Sequence, residues 1–357
     1  MRIGIFDPYL DTLSGGEKYM LSVASCLAQE HEVFIFWDKE KEVEVRQSAL
    51  EKLGIDLSSV KFYSNIFDKK TSLLSRFAQS WKFDAIVYLS DGSIPLVGTR
   101  LYVHFQFPIE WVNGKSPKTK LKLSFVKDVV CNSYFTKHFI DRKLNVNSKV
   151  LYPPVVINRD EKTKRENVIL HVGRLYVDEK GSNYKKQDIM IKVFKKMVDN
   201  GLKDWRLIIV VGARDKGRAS LNKLREMSKG YGIEVIENPS QEELWESYSK
   251  AAIYWHATGF DEDLEKHPER AEHFGISTVE AMGTGVVPVV INAGGQKEIV
   301  EDGKNGYLWN NLVEFTHRTE SLIKDPKLMG KMSKEAIVRS KIFSKDRFCR
   351  DLKNIIS

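Results

Sequence analysis

The chain has 357 residues, of which 42% are hydrophobic, and a formal net charge of +8 at pH 7. This length exceeds what one hydrophobic core usually fills, and it predicts two domains of about 150 to 200 residues each. No apolar run reaches about 18 residues, so the composition predicts a globular protein and excludes functions that need a membrane-spanning helix.

The first 150 residues alternate between strand and helix patterns. RIGIF predicts a strand, EKYMLSVASCLAQ a helix and EVFIFW a second strand, and further strand patterns follow in VKFY, FDAIVYLS, RLYVHFQ and DVVCNS. The spacing leaves room for helices between the strands, as a parallel doubly wound sheet requires. Ligands bind at the carboxyl edge of such sheets. We therefore expect a ligand-binding edge that contains Gly15, Gly16, Ser90, Asp91 and His104.

The pair Gly15 and Gly16 ends a long loop, DPYLDTLSGG, between the first strand and the first helix. This loop lacks the Gly-x-Gly-x-x-Gly spacing of a dinucleotide site, so Asp38 after the second strand does not predict a contact with NAD ribose. Taken alone, the glycine pair predicts a tight turn before a helix.

A second alternation of strands and helices begins near residue 155. Pro153 and Pro154 stiffen the chain there, and a polar run ends the first pattern. NVILHVGRL, WRLIIVVGA, IEVIEN, AIYWHA and VVPVVI then predict five more strands. The last segment, FSKDRFCRDLKNIIS, predicts a helix capped by Ser344.

The richest stretch for function runs from residue 271 to residue 297 and contains Glu272 and Glu280, eight positions apart. STVEAMG predicts a short buried helix, VVPVVI a strand, and NAGGQKEIV a Gly-Gly turn into another helix. Carboxylates can accept hydrogen bonds from sugar hydroxyls, and two helix N-termini can bind an anion. The stretch therefore predicts a sugar-nucleotide site. The alternative is a solvated helix face, on which such charges are common.

Cationic side chains follow the first strand of the second domain. Arg174 ends HVGR, and Lys185 and Lys186 open the helical pattern KKQDIMIKVF. Phosphate oxygens accept paired contacts from arginine, and lysine acts as a compact point charge. These residues have the chemistry to bind a leaving diphosphate.

The segment from Glu272 to Glu280, with HFGISTVEAMGTG, resembles the Glu-x7-Glu signature of retaining family-4 glycosyltransferases of the GT-B fold. HVGRLYVDEKGSNYKKQDIMIKVF, NGYLW, YPPVV and FSKDRF resemble family segments in the expected order. The resemblance implies an α/β protein with two Rossmann-like, doubly wound parallel sheets facing across a cleft. Residues 1–155 would bind the acceptor, residues 156–342 would bind the nucleotide-sugar donor, and the helix 343–357 would pack back on the first domain.

The resemblance also implies roles for individual residues. Glu272 would face the donor sugar, Glu280 would bind the ribose hydroxyls, and Arg174 and Lys185 would contact the diphosphate. The family has Gly where this chain has Lys186, and the preceding segment is longer, so Lys180, Lys185 and Lys186 all remain candidates, of which Lys185 aligns best. The remaining donor or catalytic positions that the resemblance implies are Gly15, Gly16, His104, Gly173, Phe274, Gly275 and Ile276.

Two further matches to the family admit simpler readings. His104 resembles a histidine near the reacting sugar, although a histidine beside a strand is often a core residue. Asn132 and Ser133 match a family pattern, but they can also end a strand and cap a helix.

The function implied by the resemblance is retaining transfer of a hexose from a GDP- or UDP-sugar to a glycan or lipid-linked acceptor. We expect a front-face route without a protein nucleophile, and no cofactor or metal. Asp261 and Asp263 form an acid-x-acid pattern, but the stretch around them is dense in charges and predicts an exposed loop. Two alternatives stay open: a sugar-nucleotide epimerase or phosphorylase of similar fold, and a noncatalytic nucleotide-sugar-binding scaffold.

The positive charge is concentrated in residues 101–150, which hold nine bases and three acids. The bases of its central stretch alternate with apolar residues, a mixture suited to anionic lipid headgroups or a phosphorylated acceptor. An ordinary solvated face is the plainer alternative, and nucleic acid is disfavoured because no nucleic-acid motif is present. The stretch contains Lys115, Lys118, Lys120, Lys122 and Lys127 among Trp111, Leu121, Leu123 and Phe125.

The cysteines and the first residues bear on location. Cys26, Cys131 and Cys349 lie far apart, without zinc-site spacing, which predicts reduced thiols in a cytoplasmic protein. MRIGIFDPYL lacks the pattern of a signal peptide. We therefore expect a cytoplasmic protein that can lie peripherally on a membrane.

Overall fold

The computed structural model describes residues 1–10, 15–158, 163–175, 183–213 and 217–356. The chain divides into two compact units. Unit 1 consists of Met1–Pro154 and Lys345–Ser357, and unit 2 of Val155–Ser344. None of the described helices is both long and apolar enough to cross a bilayer.

Unit 1 is a layered α/β structure built on a parallel sheet. Among the described residues seven strands pair in the order β3-β2-β1-β4-β5-β6-β7, and every pairing is parallel. Its strands are β1 Arg2–Phe6, β2 Glu32–Phe36, β3 Lys61–Tyr63, β4 Ala85–Leu89, β5 Arg100–Phe105, β6 Val126–Cys131 and β7 Lys149–Val150. Its helices are α1 Gly15–Leu27, α2 Glu42–Leu53, α3 Leu73–Ser80, α4 Pro117–Leu123, α5 Tyr134–Leu144 and, from the end of the chain, α13 Lys345–Ile356.

The central strands are nearly continuous apolar runs because helices cover both faces of the sheet. All five residues of β4, AIVYL, are buried. The chain order runs outward from β1 to β3 on one side and from β4 to β7 on the other. The direction in which successive strands are added to the sheet therefore reverses between β1 and β4.

The C-terminal helix α13 completes the core of unit 1. Phe348, Leu352 and Ile356 are buried in the same apolar cluster as the inner face of α1. A disulfide joins Cys26 of α1 to Cys349 of α13 across 323 residues of sequence. The prediction that these two cysteines are reduced thiols is therefore wrong, because the fold brings their Cα atoms to 5.3 Å. Cys131 is a free, buried thiol.

Unit 2 repeats the same architecture with a parallel sheet of six described strands, in the order β10-β9-β8-β11-β12-β13. Here the direction in which successive strands are added reverses between β8 and β11. The strands are β8 Val168–Arg174, β9 Arg206–Gly212, β10 Ile233–Glu237, β11 Ile253–His256, β12 Val287–Ile291 and β13 Tyr307–Trp309. The helices are α6 Gln187–Asp199, α7 Arg218–Ser228, α8 Gln241–Lys250, α9 Ile276–Gly283, α10 Gln296–Ile299, α11 Leu312–Lys324 and α12 Pro326–Ser340.

Candidate active site

The predicted donor residues of unit 2 gather at the reversal point of its sheet. Gly173 and Arg174 end β8, His256 ends the neighbouring strand β11, and Glu272 lies in the segment between β11 and α9. In open parallel sheets, ligands bind outside the carboxyl ends of the strands where the strand order reverses. The topology thus brings these residues to the place where a ligand is expected.

Glycines hold two loops of this site in direct backbone contact. A Cβ on Gly294 would lie 2.3 Å from the carbonyl oxygen of Glu272, and a Cβ on Gly295 would lie 2.5 Å from Phe274. The amide of Gly295 donates to the Glu272 carbonyl at 2.8 Å. Only glycine permits so close an approach. The Gly-Gly pair therefore fixes the backbone of Glu272 against the loop before α10.

The helix α9 begins at Ile276, directly after Gly275, whose φ of 118° is accessible to glycine rather than to other residues. A Cβ at Gly275 would also lie 2.7 Å from Nε2 of Gln296, the first residue of α10. The N-termini of α9 and α10 are thus neighbours, as the sequence predicts. Phe274 is buried beside them and packs on Phe343 with ring centroids 5.3 Å apart.

The carboxylate of Glu272 has two hydrogen-bond donors on one oxygen. Lys185 Nζ donates to Oε2 at 2.8 Å, and His256 Nε2 lies 3.2 Å from the same atom. The Lys185 side chain is 16% exposed and that of Glu272 22%. Thr258 Oγ1 in turn lies 3.2 Å from His256 Nε2. Lys185 and the buried His256 therefore hold the carboxylate of Glu272 in position.

The charges of this cluster follow from its burial and its pairing. Burial alone would raise the pKa of Glu272, but the Lys185 charge and the hydrogen bond from His256 hold that pKa well below its usual value. Burial lowers the pKa of His256, and the hydrogen bond to Glu272 only partly opposes this effect. At neutral pH we therefore expect an ionised glutamate and a neutral imidazole that donates through Nε2.

Lys186 has a different partner from Lys185. Its Nζ donates to Glu262 at 2.7 Å, and Arg270 donates to the other oxygen of the same carboxylate, also at 2.7 Å. Lys186 has a φ of 59°, the left-handed conformation, at the start of α6. This backbone geometry gives a physical reason why glycine would suit the position. Lys180 lies outside the described residues.

Arg174 occupies the end of β8, and its side chain is exposed. Its carbonyl accepts from the buried Gln187 Nε2 at 3.2 Å, so the first turn of α6 holds the end of the strand. Among the described residues no acidic side chain forms an ion pair with Arg174. Its guanidinium is therefore available to an anion.

Glu280 is half-buried on α9 and accepts from the hydroxyl of Tyr248 at 2.9 Å. Tyr254 supports the same helix, since its hydroxyl lies 2.8 Å from Ser277 Oγ and donates to the carbonyl of Val172 at 3.1 Å. Burial and the Glu280 charge raise the pKa of Tyr248 well above its ordinary value. Both tyrosines therefore remain neutral donors that hold α9 to the strands.

The sequence did not single out His256, Tyr248 or Tyr254, because buried aromatic and histidine residues in strand or helix patterns resemble ordinary core. His171 was missed for the same reason. Its Nδ1 donates to the carbonyl of Trp255 at 2.9 Å, and its Nε2 is buried without a partner among the described residues. Burial lowers its pKa to about 3.

The predicted residues of unit 1 lie at different depths. Gly15 and Gly16 begin α1, and Gln106 Nε2 donates to the Gly16 carbonyl at 3.0 Å; residues 11–14 of the same loop lie outside the described part. Asp91 accepts from Ser93 in a turn after β4. Ser133 caps α5 by accepting from the amide of Thr136 at 3.0 Å, which is the simpler of its two readings.

His104 is 2% exposed and lies inside unit 1. Its ring stacks on Tyr19 at 4.1 Å, and its Nδ1 donates to the carbonyl of Val130 at 3.1 Å. Burial lowers its pKa to about 3, so the imidazole is neutral. A catalytic role for His104 stays a prediction.

The acid-x-acid pattern is divided between two environments. Asp261 lies in a left-handed turn with φ 60°, and Asp263 forms an exposed ion pair with Lys266 at 2.8 Å. No group of three or more potential metal-ligating His, Cys, Asp or Glu side chains occurs in the described part of the chain. Metal independence stays a prediction.

The geometry agrees with a comparison against known families. Residues 156–339, more than half of the 357 residues, match the family described as Glycosyl transferases group 1. The chain belongs to this family. The match covers nearly all of unit 2, the unit that carries Arg174, Lys185 and both glutamates.

Curated relatives of this group 1 member include mannosyltransferases. It is 25% identical over 290 residues to the GDP-Man:Man(3)GlcNAc(2)-PP-Dol alpha-1,2-mannosyltransferase of Dictyostelium discoideum, an alignment covering 76% of this chain and 53% of that protein. It is 28% identical over 335 residues to the alpha-1,3/1,6-mannosyltransferase ALG2 of the same organism, covering 78% and 76%. The chain thus spans only about half the length of the first relative.

Solved structures show the fold. HepE of Anabaena, crystallised with UDP and glucose, matches with a TM-score of 0.71 at 17% identity, over 100% of this chain and 99% of that one. At this identity the likeness shows the fold alone, which is GT-B. The predicted pair of Rossmann-like parallel sheets is confirmed.

Proposed function

We propose that this group 1 family member is a retaining glycosyltransferase that moves a hexose from a nucleotide-diphosphate sugar to a glycan or lipid-linked acceptor. The observation that carries the proposal is the Lys185–Glu272 pair at the reversal point of the sheet, together with Arg174 at the end of β8, which has no acidic partner among the described residues.

The diphosphate is the natural ligand of the cations. The Arg174 guanidinium can hold two phosphate oxygens at once, and Lys185 can add a third contact while it bridges to Glu272. The N-terminal amides of the eight-residue helix α9 lie beside the same loop and favour an anion. Together these groups would stabilise the charge that grows on the diphosphate as it leaves.

The carboxylates suit the hydroxyl groups of the donor. Glu272, held ionised by Lys185 and His256, can accept from hydroxyls of the hexose, and Glu280, positioned by Tyr248, can accept from those of the ribose. Unit 2 would therefore bind the donor, and we assign the acceptor to unit 1.

Retention in this proposal follows a front-face route, in which the departing phosphate helps to take the proton of the acceptor hydroxyl. The residues need only hold donor and acceptor in line and stabilise the leaving charge. Positioning alone can supply roughly 7 to 11 kcal/mol of the barrier reduction. Neither a nucleophilic side chain nor a metal is part of the proposal, and insensitivity to a chelator would be the expected result.

Mannose is the favoured sugar and GDP-mannose the favoured donor, because the two curated relatives are named as mannosyltransferases, one of them with GDP-Man. The first relative is also named for a dolichol-linked acceptor. These names support a lipid-linked acceptor for this chain, and with it a site of action at a membrane surface.

The test is release of nucleoside diphosphate from a panel of GDP-, UDP- and ADP-sugars, with and without sugar acceptors. Glu272→Gln and Arg174→Ala should each lower turnover by roughly a hundred- to a thousandfold, the usual effect of losing a group that stabilises developing charge. Matched controls are Glu226→Gln, an exposed glutamate of α7, and Arg206→Ala at the amino end of β9.

Each alternative has its own outcome in this assay. Conversion of the nucleotide sugar without transfer would indicate an epimerase, and a requirement for inorganic phosphate as the sugar acceptor would indicate a phosphorylase. Tight nucleotide binding without turnover on any acceptor would indicate a scaffold. Normal turnover in both Glu272→Gln and Arg174→Ala would refute the site assignment.

A further inference from the structure

Helix α3 of unit 1 presents an apolar face to solvent that the proposed transfer reaction does not use. Leu73, Leu74, Phe77 and Trp81 are exposed by 63%, 85%, 40% and 68%. Trp81 directly follows the helix and keeps helical backbone angles. At 100° per residue, these four positions fall within an arc of about 100°. One face of a short helix therefore carries four large apolar side chains that no element of the described part of the chain covers.

The charges around this face are all of one sign. The stretch from residue 69 to residue 83 contains four bases and no acid. Lys69, Lys70 and Lys82 are exposed at the two ends of α3, and Arg76 is half-buried on its side. Apolar side chains bordered by basic ones are the composition of helices that lie in a bilayer interface.

Helix α4 carries the same mixture. Residues 111–127 contain five lysines and no acid, and Leu121 and Phe125 are exposed by 59% and 55%. Ser116 caps the helix, and Lys118 and Lys120 project into solvent. The lysines that the sequence predicted to meet an anionic surface thus sit beside apolar groups.

The two helices belong to one surface. The connections that contain α3 and α4 run in the same direction along the sheet, so right-handed crossovers place both helices on one face. Burial and then the positive charges of Lys118 and of Arg76 on α3 lower the pKa of Lys122 on α4, in agreement with this placement. We call this area the α3–α4 surface.

We propose that the α3–α4 surface docks unit 1 on an anionic phospholipid bilayer, with the Leu73–Leu74 end of α3 entering the interface and the lysines contacting lipid phosphates. An anionic bilayer satisfies both components at once: it takes up apolar side chains and supplies negative charge, while lysine stems lie along the apolar layer. A nucleic acid would leave Leu73 and Leu74 without a partner, because aliphatic side chains do not stack on bases.

The inference deepens the membrane part of the proposed function and rests on it for its biological role. Its test does not depend on transfer activity. Full-length protein is sedimented with vesicles of phosphatidylcholine alone and of phosphatidylcholine mixed with phosphatidylserine, without donor or acceptor. We expect binding to the mixed vesicles, weak binding to the neutral ones, and a decrease in binding as salt is raised.

Variants separate the apolar from the electrostatic contribution. The double variant Leu73→Ser with Leu74→Ser should weaken binding about tenfold or more, because two leucines no longer enter the interface. Its matched control is Val43→Ser with Leu50→Ser, which removes exposed apolar side chains from α2, on the other face of the sheet.

The charge variant Lys118→Glu with Lys120→Glu should weaken binding by about fivefold for each lysine removed, and by more after reversal. Its control is Lys331→Glu with Lys334→Glu on α12. The substituted side chains are exposed, and thermal unfolding of each variant is the check that it keeps its fold.

The outcomes are distinct. Failure of the wild-type protein to bind mixed vesicles, or equal losses in test and control variants, would overturn the proposal. Sensitivity to the lysines but not to the leucines would overturn the insertion of α3. Vesicle binding by a protein that transfers no sugar would refute the proposed function and leave this inference standing, whereas sugar transfer without vesicle binding would do the reverse.

Discussion

Adjacent lysines at the start of α6 provide the sharpest test of the site. Lys185 pairs with Glu272, whereas Lys186 pairs with Glu262, whose side chain is 8% exposed and also contacts Arg270. If the first pair serves the donor and the second serves the fold, the substitutions Lys185→Met and Lys186→Met should have opposite consequences.

Lys185→Met should lower turnover by roughly a hundred- to a thousandfold, equal to about 3 to 4 kcal/mol of lost transition-state stabilisation. The stability change should be small, since His256 still donates to Glu272 and the carboxylate keeps contact with solvent. Removing the lysine charge should also move the pKa of Glu272 upward, toward its ordinary value. The acid limb of the pH–activity profile should therefore shift to higher pH.

Lys186→Met should keep most of the turnover and lower the free energy of unfolding by about 1 to 3 kcal/mol. Removing one partner of a buried ion pair can cost about 3 to 5 kcal/mol. The expected loss is smaller here because Arg270 still pairs with Glu262. The assays are nucleoside diphosphate release and urea unfolding on both variants. Loss of activity in Lys186→Met together with normal activity in Lys185→Met would refute the assignment.

Three further outcomes follow from contacts described above. Tyr248→Phe removes the donor to Glu280 and should raise KM for the donor by about tenfold with a smaller change in kcat; an unchanged KM would count against ribose binding by Glu280. Burial lowers the pKa of His104 from 6.5 to about 3 in the folded protein. Between these pH values the unfolded state binds more protons than the folded state. The free energy of unfolding should therefore fall as the pH drops below about 6.5. His104→Gln should reduce that slope by about 1.4 kcal/mol per pH unit in urea titrations, and an identical slope would contradict it. Replacing both Cys26 and Cys349 by Ser should lower stability by about 2 to 4 kcal/mol, and reductant should destabilise the wild type but not this variant.

Much of the fold is visible in the sequence because parallel strands buried on both faces are continuous apolar runs. VILHV, LIIVV and VVPVVI all form predicted strands, whereas the order of the strands within each sheet comes from the structure. The Gly-Gly pair before α10 was also expected as a turn. What the sequence could not give is the close backbone approach that makes glycine necessary there.

The parts of the site that escaped prediction depend on contacts between distant residues. His256 and Tyr248 act on the two glutamates through side-chain hydrogen bonds, yet His256 ends a buried strand and Tyr248 lies on an ordinary helix, so neither position signals a function. The pairing of Lys185 with Glu272 spans 87 residues, and that of Cys26 with Cys349 spans 323. Only the folded arrangement decides such pairs.

The position of α13 has a consequence for how the chain folds during its synthesis. A nascent chain emerges from its N-terminus, and domains generally fold in that order. Here unit 1 lacks Phe348, Leu352 and Ile356 of its own core until α13 has left the ribosome, whereas unit 2 lies before α13 in the chain. Unit 2 can therefore reach its final structure first, and a chain interrupted before α13 would carry its defect in the core of unit 1.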